Sequence, residues 1–247
     1  DNQSINLQFI SLRGTFKVQL WRRKRLSHIR IFKGLIMKIT ILGSGNMATA
    51  FVKQLNAAGH QVRVTGRNQA KASELAGQHR GVRSVAPNAA AQDADAIIVA
   101  TPYEAAADAL RSLGDVRGKV VIDITNPLTP DYMGLTIGHD TSAAEKIAQA
   151  TPGAEVVKGF NTLFAQVLAA GADFGDGRKA TVFLASDSER AKQTAQALAE
   201  SMGFETLDAG PLKNARYLEP VAGLNIYFGY GAGLGTTVAP TWLRNAA

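Results

Sequence analysis

From Met37 onward, short apolar runs alternate with amphipathic stretches. The apolar runs are Lys38 to Leu42, Gln61 to Thr65, Val82 to Val85, Asp95 to Thr101, Lys119 to Ile124 and Glu155 to Phe160. Turn residues bound each one, and several are continuously apolar rather than alternating. That pattern predicts strands covered on both faces, as in a parallel sheet. Helical spacing fills the gaps. Met47, Phe51 and Leu55 share one face of a helix from about Asn46 to Ala58, which Gly59 ends. Further helices are predicted over Asn68 to Gln78, Pro87 to Gln92, Glu104 to Leu113 and Ser142 to Ala150. Beyond residue 164 the order is helix, strand (Ala180 to Ala185), helix (Ser188 to Met202), strand (Phe204 to Leu207) and a long segment from Gly210. The fold class is therefore α/β: a doubly wound parallel sheet over 37–164, with a smaller C-terminal α/β part over 165–247.

The first strand runs directly into Gly43-Ser44-Gly45-Asn46-Met47-Ala48, a G-x-G-x-x-A dinucleotide fingerprint, and a second strand follows within about thirty residues. Gly43 permits the tight turn, Gly45 leaves room for a pyrophosphate, and Ala48 lets the helix pack closely on the sheet. The unpaired amides at the helix start favour an anion. This is the βαβ unit of a Rossmann domain. Its second strand ends in Thr65-Gly66-Arg67-Asn68, with no carboxylate before Glu74 to take a ribose diol. Arg67 can fork onto a 2′-phosphate, and Lys71 lies one helical turn on. Charge-assisted bonds of about 1.5–3 kcal/mol each favour NADP(H) over NAD(H).

Ligands of open parallel sheets sit beyond the carboxyl ends of the strands. The fourth and fifth strands end in Thr101-Pro102-Tyr103 and Asn126-Pro127-Leu128, which are predicted to face the nicotinamide. Asn161-Thr162, after the sixth strand, and Pro211-Leu212 are predicted to border a second ring. None of these residues is a strong acid or base, so no catalytic residue is assigned and Asn161 and Thr162 orient rather than titrate. Hydride transfer between stacked rings needs proximity and water exclusion more than a protein acid.

Charge looks at first like a hint of nucleic acid, with a formal net charge of +7. Residues 1–36, however, hold eight Lys/Arg and one acid, leaving 19 bases and 19 acids in residues 37–247. The body is neutral, and no nucleic-acid face is implied. The basic segment 1–36 reads as an extension outside the fold, and a chain beginning at Met37 is expected to fold and bind NADPH. There is no cysteine, so disulfides, thiolate metal sites and thiol nucleophiles are excluded. The four histidines (His28, His60, His79, His139) are scattered without metal-ligand spacing, and His60 suits a capping role. Residues 221–243 carry no charge, yet five glycines and Pro240 suit burial at a subunit contact or beside the substrate better than a membrane span.

The motifs GSGNMATAF, VTGRNQAK, ATPYEAA, DITNPL, VVKGFNT and LDAGPLKNARYLEP occur in the order seen in coenzyme F420-dependent NADP reductases. From Met37 to about Leu243 the chain resembles that family, and its nucleotide module is similar to the cytosolic domain of the STEAP metalloreductases. GSGNMA is also similar to pyrroline-5-carboxylate reductases, whose C-terminal helical domain is not matched. The resemblance implies a cytoplasmic, dimeric enzyme moving hydride between NADP(H) and a deazaflavin or flavin such as coenzyme F420. Two positions depart from the reductases: Tyr103 stands in place of a tryptophan, and Asn161-Thr162 in place of a histidine-threonine pair. The alternative is a non-catalytic NADP(H)-binding sensor or partner protein.

Overall fold

The structure is a computed structural model that describes residues 36–243 and 245; the extension expected over 1–36 lies, but for Ile36, outside the described residues. Eight strands form one sheet in the order β3-β2-β1-β4-β5-β6-β7-β8. They are β1 (Lys38–Leu42), β2 (Gln61–Thr65), β3 (Arg83–Ser84), β4 (Ala96–Val99), β5 (Val120–Asp123), β6 (Glu155–Lys158), β7 (Thr181–Ser186) and β8 (Glu205–Asp208). The first six run parallel; β7 pairs antiparallel with β6 through Lys158↔Ala185, and β8 then runs parallel to β7. The strands expected in a smaller C-terminal part thus extend the edge of the same sheet, and the described residues from Ile36 onward form one compact unit.

Eight α-helices are described: α1 (Asn46–Ala57), α2 (Gln69–Gly77), α3 (Pro87–Ala90), α4 (Tyr103–Arg111), α5 (Ala143–Ala150), α6 (Ala165–Ala170), α7 (Glu189–Ser201) and α8 (Ala215–Ile226). Alternate strand residues feed two cores, one on each face, which is why β4 and β5 read as continuous apolar runs. Ile39, Ile98 and Ile122 pack with α1 and α7, whereas Leu42, Ile97 and Val121 pack with α4 and α5. His60 caps as its position suggested: Nδ1 accepts from the Met37 amide at 3.2 Å, and Nε2 meets Ser201 Oγ at 2.9 Å. Its burial lowers its pKa, keeping the ring neutral for that bond.

The uncharged stretch 221–243 is not one helix. α8 ends at Ile226, a wide π turn covers Tyr227–Gly231, and no helix among the described residues is long and apolar enough to cross a membrane. Part of the stretch is buried: Gly229 sits where a Cβ would meet Phe164 at 2.5 Å, Ala222 is covered, and Asn225 Nδ2 donates to Thr162 O at 3.1 Å. Leu224, Tyr227, Phe228 and Tyr230 remain exposed.

Candidate dinucleotide and acceptor site

The fingerprint turn is built by steric necessity. Gly43 has φ +136°, and a Cβ there would lie 2.3 Å from the Ala100 carbonyl oxygen, so β1 and β4 meet only through a glycine. Its amide donates to Thr65 O at 2.8 Å, and Gly66 packs back on Gly43, closing the ends of β1 and β2 together. Gly45 differs: it is exposed, its φ of −88° is ordinary, and no atom lies within 4 Å of a Cβ built there. Space stands above Gly45 where a diphosphate must approach. No side chain caps α1, so the first amides beyond Gly45, at Asn46 and Met47, are free for an anion, while Ala48 is fully buried against the sheet. Ser44 is half-buried beside them.

At the end of β2 the side chains divide their work. Asn68 is spent as the N-cap of α2, accepting from the Lys71 amide at 3.0 Å. Arg67 and Lys71 are exposed and form no ion pair among the described residues. Two free cations and no carboxylate fit a 2′-phosphate. NADPH is expected to bind at least about tenfold more tightly than NADH, with Arg67→Ala removing most of that gap, given one or two charge-assisted bonds. Equal affinities in the parent protein, by fluorescence titration at fixed salt, would sink this assignment.

The ends of β4, β5 and β6 converge beside this turn. Pro102 is the N-cap of α4 and Tyr103 its first residue; Pro127 is buried and Leu128 half-buried, bridged to Leu135. Asn126 and Asn161 lock each other: Asn126 Nδ2 donates to Asn161 O at 2.9 Å, and Asn161 Nδ2 donates to Asn126 Oδ1 at 3.0 Å. Asn161 Nδ2 also reaches Leu218 O on α8 at 3.0 Å. The chain gets there through Phe160, whose φ of +60° is costly for a bulky residue. Edge-on packing against Phe51 of α1 (centroids 5.1 Å apart, planes at 77°) holds it, an arrangement worth about 0.5–1.5 kcal/mol beyond burial.

Four buried polar atoms here lack a partner: Thr101 Oγ1, Thr125 Oγ1, Asn161 Oδ1 and Thr162 Oγ1. Buried polar groups are nearly always satisfied, and these four lie just past the ends of three adjacent strands. They fit the polar edge of a nicotinamide or of a second ring. Pro211 and Leu212 are not brought to this edge. Because β7 reverses direction, Ser186 lies beside Val157, and the Ser186 amide bonds Gly210 O at 3.0 Å near the amino end of β6. Leu212 is buried in the core under α5 and Pro211 is exposed, so the expected pairing with Asn161 and Thr162 is replaced by Leu218 and Asn225 of α8.

Sequence reasoning missed the charges beneath the site. Lys158 Nζ is fully buried and donates to Asp123 Oδ2 (2.7 Å) and Thr125 O (2.7 Å), and it pairs with Glu219 Oε1 (2.8 Å). Glu219 also accepts from the Ala143 and Ala144 amides at the start of α5, at 2.9 and 3.2 Å. The signal was a lysine and an aspartate inside otherwise apolar strands.

A family model for the NADP oxidoreductase, coenzyme F420-dependent, matches residues 38–127. A candidate F420-dependent NADP reductase from Arthrobacter sp. FB24 superposes with TM-score 0.74 at 27% identity, covering 84% of this chain and 100% of that one. Over residues 38–127 the chain belongs to this family. The family is one of NADP-dependent oxidoreductases. Metalloreductase STEAP3 of Rattus norvegicus is 32% identical over 185 residues, 74% of this chain but 36% of that protein. The chain thus spans about a third of the curated relatives it matches. A hypothetical protein from Sinorhizobium meliloti is 31% identical with TM-score 0.65, covering 73% of this chain and 88% of that one.

Proposed function

We propose that the chain transfers hydride between NADP(H) and a flat heterocyclic acceptor of the deazaflavin or flavin type, coenzyme F420 included. The carrying observation is the locked Asn126–Asn161 pair, which leaves Asn161 Oδ1 buried and without a partner at the strand ends. NADPH supplies the hydride when bound. The chain's own residues place the reacting rings: Gly45 and the α1 amides hold the diphosphate, Thr101 and Asn126 border the nicotinamide, and Asn161 and Thr162 border the acceptor. The described strand ends present amides, hydroxyls and apolar side chains, a surface suited to stacking and to excluding water. The relatives named as an F420-dependent NADP reductase and a metalloreductase support reduction as the chemistry.

The test is NADPH oxidation followed by absorbance, with coenzyme F420, FMN, FAD and ferric chelates offered in turn. Asn161→Ala is expected to lower turnover by about ten- to a hundredfold through misplacement, short of the total loss that removing a catalytic acid gives. Tight NADPH binding with no acceptor reduced would replace the enzyme reading by a nucleotide-sensing one.

A further inference from the structure

The Lys158 cluster does more than fasten α8 to the sheet. Its side chains are all but wholly buried, at 0% exposure for Lys158 and Asp123 and 2% for Glu219. The donors around them define their charges. Glu219 Oε1 meets the Lys158 ammonium and the Ala144 amide, and Oε2 meets the Ala143 amide. Asp123 Oδ1 accepts from the Thr125 amide at 2.8 Å, and Oδ2 from Lys158. Every one of these neighbours donates, so a proton on either carboxyl would face another donor. The cluster sets two carboxyl groups, each surrounded by donors, against one ammonium, for a net negative charge; burial pushes the Glu219 carboxyl up, and Lys158 and the Ala143 amide pull it back only in part. The start of α5 offsets about half a unit of it.

The position of that charge matters. Asp123 closes β5 three residues before Asn126, Lys158 closes β6 three residues before Asn161, and Glu219 follows Leu218, whose carbonyl holds Asn161. The field reaches the cleft: the Tyr103 hydroxyl is pushed up by burial and then by Glu219 and Asp123. The other charges on the surrounding elements are Glu104 beside Tyr103, Lys146 on α5, and three pairs whose members cancel: Glu145–Arg216, Asp108–Arg111 and Glu155–Arg190.

A nicotinamide ring is neutral when reduced and positive when oxidised. Resting on the nicotinamide reading of the strand ends, we infer that the Asp123–Lys158–Glu219 cluster tunes the site's relative affinity toward NADP⁺, and so toward oxidation of bound NADPH. A cluster that merely fastened α8 would alter both nucleotides alike. A net charge acts on one.

The experiment measures Kd for NADP⁺ and for NADPH by titration calorimetry, in the parent chain and in Glu219→Gln, Asp123→Asn and Glu219→Asp. Glu219→Gln and Asp123→Asn each remove one negative charge. Both are expected to raise the ratio Kd(NADP⁺)/Kd(NADPH) roughly tenfold, as a buried unit charge at several ångströms would. NADPH affinity should stay within about twofold, and Glu219→Asp, which keeps the charge, should keep the parent ratio. An unchanged ratio in either neutralised variant that folds by circular dichroism overturns the inference, as does an equal loss for both nucleotides. Failure of the parent chain to bind either nucleotide overturns the nicotinamide reading instead.

Discussion

Lys158→Met is expected to destabilise the protein by about 3–5 kcal/mol, the range for breaking a buried ion pair from one side. Methionine nearly matches the volume, so packing alone predicts a small effect. The loss comes from Asp123 and Glu219, left buried with their charges and without their shared donor. An exposed pair supplies the contrast. Arg190 grips Glu155 through two nitrogens and holds that carboxyl below its ordinary pKa, yet Arg190 is 56% exposed. Arg190→Ala should cost no more than about 1 kcal/mol. Urea midpoints for both variants decide the matter; a Lys158→Met loss below about 1 kcal/mol would show that the cluster contributes nothing net.

Gly43→Ala is expected to remove the folded state or cost more than about 3 kcal/mol, because strain and overpacking coincide. The added methyl would sit 2.3 Å from Ala100 O and 2.8 Å from Ala100 C, both backbone atoms that cannot swing aside. Gly45→Ala should do the opposite. Its conformation tolerates alanine and its surroundings are open, so stability holds while NADPH affinity falls at least about tenfold, the methyl standing where a diphosphate must approach. Denaturation and NADPH titration on the same two proteins separate the roles. Unchanged affinity in Gly45→Ala would mean that the diphosphate does not lie over this turn.

Much of this could be read from residues alone, because the signals were local. Gly43, Gly45 and Ala48 prescribe a strand-turn-helix whatever surrounds them, and apolar runs such as Ile97–Val99 prescribe buried strands. Element ends shifted slightly: β4 closes at Val99 rather than Thr101, and α3 at Ala90 rather than Gln92. What failed was direction. Thr181–Ser186 is apolar on both faces, and an apolar run reads alike whether its neighbour is parallel or antiparallel. Placing Pro211 and Leu212 at the acceptor depended on that direction, and the reversal of β7 moved them to the other edge. The buried charges were obscured for a related reason. Asp123 and Lys158 are 35 residues apart, and only the β5–β6 register makes them neighbours.

The distance of Glu219 from its partners has a consequence for how the protein is made. The carboxylate reaches amides 75 and 76 residues earlier in the chain, so these bonds close only when the last long helix arrives. During synthesis the nucleotide-binding strands leave the ribosome first, with Lys158 paired to Asp123 alone and the start of α5 without its acceptor. A nascent chain stalled before residue 219 therefore has every glycine of the fingerprint and an unfinished interior. The electrostatic core closes only when α8 packs back across the start of α5.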